Sequence, residues 1–245
     1  MSRFIKTTFA FCIFALVMAI AFFYGRSERV IVPREETTIT FVEGRTLKEY
    51  GALLVERGLV PSVEVWARAV GSVASRYRVL FPGLFADAPA DAGIEGYFFP
   101  DTYRFFKDTA VRNIVEKVLS EMDEKLSSEA RAKIKEQHTT IFEVLTVASL
   151  VEAEGKTAED RALIADILWR RLRVGMPLQV DSSRGTYKEK GLPAGPINNP
   201  SLASINASIN PTSNAYWYFI SGRDGKMYYA HTLDEHNRNI ARYLR

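Results

Sequence analysis

The sequence predicts an α+β fold behind an N-terminal transmembrane helix, and three patterns predict it. An uncharged apolar run from Thr7 to Tyr24 is about as long as the ~18 residues a helix needs to cross a bilayer. Helical periodicity dominates residues 110–173, and short strand-like stretches bounded by turn residues lie on both sides of it. With 245 residues, 47% of them hydrophobic, the chain has enough apolar material for one or two packed units beyond that leader, which excludes a disordered chain.

Taken in order, Arg3 and Lys6 precede the apolar run, and its end, Phe22-Phe23-Tyr24-Gly25, lacks a small-x-small cleavage site. An uncleaved anchor is expected over a cleaved signal peptide, with the N-terminus cytoplasmic and the rest exported. Residues 1–29 are therefore read as cytoplasmic tip and anchor. The single cysteine, Cys12, lies inside it, so the exported part is held by packing without a disulfide. Residues 30–36 read as a linker, and Thr37–Val42 alternates like a strand. Gly44 gives a turn, Thr46 caps a helix over Leu47–Arg57, Gly58 ends it, and Ser62 caps a second helix from Val63 to about Val70. Residues 30–72 thus form a linker and a small strand–helix–helix module, and residues 73–245 a larger mixed helical and β domain.

The larger domain opens with Gly71–Gly93, rich in alanine, proline and glycine and expected to be a connecting loop, and with an aromatic segment, Ile94–Arg104. Helices are predicted over Ala110–Leu126, Ser128–Gln137 and Ile141–Glu154. Thr157 with Asp160 at N3 starts another over Ala158–Arg173, where Arg170, Arg171 and Arg173 suit the negative end of the helix dipole. Leu178–Asp181 reads as a strand end, Gly191–Pro200 as a rigid turn segment, and Ser201–Ile209 as a short helix. Tyr216–Ile220 and Lys226–Ala230 flank Gly222–Gly225 as a hairpin, and a last helix is capped at Thr232, with Glu235 completing a capping box.

The helix Ile141–Glu154 carries the chemistry. It is apolar nearly all round and so is predicted to be mostly buried, yet it holds Glu152 and Glu154. At about 100° per residue these two acids point roughly 200° apart, so at most one faces a substrate cleft. Gly155, read as the residue that closes the helix, leaves Glu154 among the last carbonyls, where desolvation and the dipole favour the protonated acid a general acid needs. The bland alternative is a buried glutamate tied to a backbone amide or an arginine.

A net charge of +3, spread along the chain without a dense basic run, argues against nucleic acid as a partner. His138, His231 and His236 have no metal-ligand spacing and no phosphate-binding glycine loop occurs, so neither metal nor cofactor is expected.

Five stretches, Glu95–Tyr103, Ala148–Glu154, Met176–Asp181, Gly191–Ile197 and Glu235–Asn237, together resemble the endolytic murein transglycosylase family, the YceG-like proteins of bacterial cell-wall synthesis. The resemblance runs from about Thr37 to the C-terminus. It implies an inner-membrane-anchored lyase that cuts the β-1,4 bond between N-acetylmuramic acid and N-acetylglucosamine inside nascent glycan strands, leaving a 1,6-anhydro end. Its partners would be peptidoglycan strands, the cell membrane and, as a further candidate, peptidoglycan synthases. The family's catalytic glutamate maps to Glu154, with Glu152 as the alternate, and the module after the linker is similar to the family's LysM-like subdomain. Candidate substrate-binding residues are Asp101, Tyr103, Asp181, Tyr187, Asn199, His236 and Asn237. Asp101 and Asp181 are also the acids that could supply the second carboxylate an ordinary hydrolase requires. The chain departs from the family pattern in having room for one membrane-proximal module where two are common and in a short Ser182–Gly185 loop, and the short loop motivates a rival: a non-catalytic glycan-binding or scaffold protein of the wall-synthesis machinery.

Overall fold

The computed structural model describes residues 16–18, 34–71 and 74–244. The chain divides into two compact units, Met1–Glu35 and Glu36–Arg245. In the first, the expected anchor from Thr7 to Tyr24 lies outside the described residues apart from the helical residues Leu16, Val17 and Met18. Among the described residues no helix is long and apolar enough to cross a membrane.

The second unit is α+β. Strand β1 (Glu36–Thr40) leads into helices α1 (Leu47–Glu56) and α2 (Val63–Gly71), and the Thr46 side chain with Glu49 forms a capping box at the start of α1. The two helices approach closely because α1 carries Gly51, where a Cβ would fall 2.1 Å from the Trp66 ring of α2. The Trp66 indole N–H donates to the Leu47 carbonyl at 2.6 Å, so the buried ring leaves no orphan donor. The stretch expected to be a plain loop instead holds helices α3 (Ala74–Leu80) and α4 (Pro82–Phe85), with Pro82 at the start of α4, where its missing N–H costs nothing. Strand β2 (Thr102–Phe106), absent from the sequence reading, pairs antiparallel with β1, Ile39 opposite Tyr103. Its Tyr103 and Phe105 point into the core while Thr102 and Arg104 face water, the period-two pattern of a half-buried strand.

Helices α5 (Val111–Lys125), α6 (Ser128–Glu136), α7 (Ile141–Glu154) and α8 (Ala158–Arg173) follow, within a residue or two of their predicted bounds. Leu178–Asp181 is no strand: Gln179 takes a left-handed φ of 53° there, and a short 3-10 turn covers Arg184–Tyr187. Then come α9 (Leu202–Ile209), the hairpin β3 (Tyr218–Ser221) and β4 (Met227–Ala230), and α10 (Leu233–Tyr243).

Helix α7 positions everything else. Its Ile141, Val144, Leu145 and Ala148 belong to the large apolar core shared with β1, β2 and the first helices. Its Val147, Leu150 and Val151 belong to a second core with Ile164 and Leu168 of α8 and with Leu178 and Val180. A helix packed between two cores has no wet face, which explains its near-unbroken apolar sequence. Its few polar groups bond locally: Thr146 Oγ1 donates to the Phe142 carbonyl, Ser149 Oγ to that of Thr146, both at 2.7 Å. Ser149 also accepts the Ile197 N–H at 3.0 Å, and its carbonyl accepts the Asn198 amide, tying the Gly191–Pro200 segment to the helix.

Candidate active site

Gly155 closes α7, as the sequence predicts. It has φ −86° and ψ 127°, an extended cap that does not use glycine's left-handed freedom. Its smallness serves a close approach: a Cβ would sit 2.7 Å from Arg161 Cγ and 3.1 Å from Arg161 Cα, so only glycine lets the N-terminal turn of α8 come this near.

Beyond this junction the two acids part. Glu152 Oε2 accepts the Ser201 N–H at 3.0 Å and the hydroxyls of Ser201 and Ser204, and Oε1 lies 3.8 Å from Arg161 Nη2. Glu152 is therefore the anchor of the α9 N-terminus, where a carboxylate also suits the helix dipole. Glu154 leaves the opposite side of α7. It is half-buried, its Oε1 accepts the Ser182 N–H at 3.1 Å, and its Oε2 has no hydrogen bond among the described residues.

Glu154 opens on a cleft of about 430 Å³, which it shares with Asp181, Tyr187, Arg171, His236 and Asn237. Three local structures aim these side chains. The short 182–187 loop folds on itself: Thr186 Oγ1 accepts the Val180 N–H at 3.0 Å, and the Gln179 N–H reaches the Thr186 carbonyl at 3.0 Å. That closure holds the Tyr187 hydroxyl on Asp181 Oδ1 at 2.6 Å and the Ser182 N–H on Glu154. Burial, the bond to Asp181 and the charge of Glu154 push the Tyr187 phenol up to about 12, so it is a donor at neutral pH. Helix α10 presents His236 and Asn237. It is capped by Thr232, which accepts the Glu235 N–H at 3.2 Å, while the Glu235 carboxylate takes the His231 N–H at 2.8 Å, one residue before the expected box.

The His236 ring stacks on Tyr218, centroids 5.1 Å apart, and burial followed by the charge of Arg171 lowers its basicity. Arg171, at the end of α8, completes the cleft. The sequence offers it only as one of three cations at a helix terminus; the structure buries it to 3% exposure while Arg173 stays in water. Its Nε donates to the Trp217 carbonyl at 2.8 Å and its Nη1 to that of Leu178 at 2.7 Å.

Three of the candidate substrate-binding residues lie elsewhere. Tyr103 is buried on β2, its hydroxyl donating to the Phe99 carbonyl at 2.7 Å. Asp101 is exposed at the strand start and accepts the Thr102 N–H at 2.6 Å. Asn199 is fully buried, and its amide is spent within the protein. Its Oδ1 accepts from Gly96 and Phe98, and its Nδ2 donates to the Arg45 carbonyl at 2.9 Å and to Glu95 Oε1 at 2.7 Å. No hydrogen-bonding capacity is left for a ligand. The same junction holds Glu95, which opens one of the family stretches but is not among the candidate site residues: it also accepts the Leu47 N–H, and burial outweighs these donors and raises its carboxyl to about 7.

The YceG-like family model matches residues 26–184 and 185–242. The endolytic murein transglycosylase of Streptococcus pneumoniae serotype 2 (strain D39 / NCTC 7466) is 34% identical over 204 residues, 71% of this chain and 37% of that protein. The endolytic murein transglycosylase of Bacillus subtilis (strain 168) is 27% identical over 234 residues, 84% of this chain and 65% of that protein. This chain thus spans roughly a third to two thirds of the length of these relatives. A crystal structure of a YceG-like protein from Listeria monocytogenes superposes with a TM-score of 0.74 at 23% identity, covering 85% of this chain and 76% of that one, and so shares its fold. With a family match running through almost the whole of the second unit, this chain belongs to the YceG-like family.

Proposed function

We propose that this protein is an endolytic lytic transglycosylase of peptidoglycan in which Glu154 is both acid and base. One observation carries the reading: a carboxylate on the rigid end of a buried helix, with one oxygen held by Ser182 and the other without a hydrogen bond among the described residues, opening on a cleft in a chain whose relatives are named endolytic murein transglycosylases. In this chemistry the carboxylic acid protonates the glycosidic oxygen between N-acetylmuramic acid and N-acetylglucosamine. The resulting carboxylate then takes the proton of the muramyl C6 hydroxyl, whose oxygen closes a 1,6-anhydro ring. One glutamate serves both steps and no water attacks. Asp181, Tyr187, His236 and Asn237 are the side chains placed to hold the sugars. Asp101, Tyr103 and Asn199 stand outside this role.

The wider organisation belongs to the same proposal: an anchor over residues 7–24 in the inner membrane, the remainder outside the cytoplasm, and a LysM-like glycan-binding surface on the β1–α1–α2 segment beside the catalytic region. Peptidoglycan synthases fit as partners on the same grounds of family membership.

One feature supports a second reading. Asp181 shares the cleft with Glu154, so two carboxylates are available for hydrolysis, whereas Asp101 is not. Digestion of purified peptidoglycan separates the two. Transglycosylation gives 1,6-anhydro-muramyl ends that survive Asp181→Asn at reduced rate; hydrolysis gives reducing ends that vanish in that variant. Silence of the parent chain on intact strands contradicts both and restores the scaffold alternative.

A further inference from the structure

Among the described residues the two half-buried arginines near the active helix each have an acid: Arg170 pairs with Asp166 and Arg161 with Glu152. Arg171 is the exception. The residue is 3% exposed, yet no carboxylate of the described residues lies within ion-pairing reach, and its contacts are neutral: the carbonyls of Trp217, Pro177 and Leu178, the Gln179 amide oxygen at 3.3 Å, and the Tyr218 ring at 4.9 Å. All of these bonds use Nε and Nη1. Nη2 has no hydrogen-bond partner among the described residues, and the side chain lines the Glu154 cleft.

A second unmatched group lies beside it. His236 Nδ1 is buried without a partner, its ring stacks on the Tyr218 ring that also receives the Arg171 guanidinium, and it lines the same cleft. Burying a charge without a counter-ion is expensive, and leaving N–H groups unmatched adds to the cost. Such an arrangement in a cleft is what an anion would complete. The planar guanidinium, and the imidazole in the tautomer that carries its proton on Nδ1, are donors suited to the two oxygens of a carboxylate.

We propose that Arg171 and His236 form a carboxylate-binding pole of the active-site cleft, selecting glycan strands by an acidic group on the muramyl residue. This rests on the peptidoglycan reading given above. The acidic group is either a free carboxylate of the stem peptide or, where the stem has been removed, the lactyl carboxylate of the sugar. Arg171 is thereby a specificity residue. Glu154 does the chemistry, and the Arg171–His236 pole decides which muramyl unit is seated.

The test measures binding to full-length Glu154→Gln protein, which holds strands without turning them over. Two pairs of probes are used: stem-bearing strands with carboxylates free or amidated, and stem-free strands with the lactyl carboxylate free or amidated. The free form binds about tenfold or more tightly in at least one pair, as expected for a charge-assisted contact, and the pair that discriminates identifies the source. Arg171→Met added to that protein abolishes the preference, and His236→Phe, which keeps the stacking on Tyr218, narrows it. Equal affinities within both pairs overturn the proposal even if Arg171→Met fails to fold, because that comparison needs no Arg171 variant. Arg171→Met weakening free and amidated strands alike overturns it too. Binding without carboxylate preference sinks this proposal alone; no binding of any strand sinks it together with the functional reading.

Discussion

Two polar regions flank the active helix, and they differ in how completely their groups are satisfied. At the junction of Glu152, Glu95 and Asn199, each oxygen of the two carboxylates meets a donor or an arginine, and the amide is bonded at both ends. Arg161 Nε is the exception beside that junction, whereas in the cleft three groups, Glu154 Oε2, Arg171 Nη2 and His236 Nδ1, lack hydrogen-bond partners among the described residues. Proteins rarely leave buried polar groups unmatched, so the closed region reads as structure and the open one as a site for a ligand. Motif resemblance alone does not make this division: Asn199 and Tyr103 sit in or near the most recognisable stretches and belong to the closed kind.

Breaking the closed region costs stability. Glu152→Ala removes the acceptor of three Ser201 and Ser204 donors and strands Arg161, and a loss of about 3–5 kcal/mol is expected in chemical denaturation. A loss below 1 kcal/mol would mean the nest around it is ornamental. Asn199→Ala leaves the Gly96 and Phe98 N–H groups without their acceptor, and about 2–3 kcal/mol, or a fall in Tm of roughly 5–10 °C, is expected. An unchanged Tm would return Asn199 to the list of ligand-binding residues.

Glu95 sharpens the comparison through pH. Its carboxyl is raised from the ordinary 4.5 to about 7, so the folded state holds the proton more tightly than the unfolded one. Its contribution is full below about 4.5, falls as pH rises to about 7 and is flat above, for a total of up to about 3 kcal/mol. The difference between parent and Glu95→Gln stability curves isolates it; a difference that does not vary across that window contradicts the assignment. The smallest effect expected is at the cleft's edge. Thr232→Ala removes the cap of α10 for about 1 kcal/mol, loosening the helix that carries His236 and Asn237. Faster amide exchange in α10 is the readout, and unchanged protection would detach that cap from the cleft's order.

Much of the helical part was legible in the sequence because caps and breakers are local. Thr46, Ser62, Thr157 and Thr232 all start helices where predicted. What escaped depended on distant partners. Strand β2 follows a run of aromatics whose inward alternation shows only once β1 lies against it, and α3 and α4 hide among alanine, glycine and proline. Within the site, the angular separation of Glu152 and Glu154 was readable from helix geometry alone. The identity of Arg171 was not, since three nearby arginines look alike until the 177–179 loop and β3 close over one of them. Gly155 is legible as the end of the helix, but the nearness of Arg161 that requires a glycine there is not.

The division of labour between the two acids is tested most directly by the turnover of peptidoglycan per folded molecule in Glu154→Gln and Glu152→Gln side by side. The account predicts that Glu154→Gln lowers the release of anhydro-muramyl ends by about 10²–10⁴-fold, the range typical of a lost acid–base group, while Glu152→Gln stays near the parent rate once corrected for its unfolded fraction. Anhydro ends from Glu154→Gln at the parent rate, or their loss in fully folded Glu152→Gln, would contradict it.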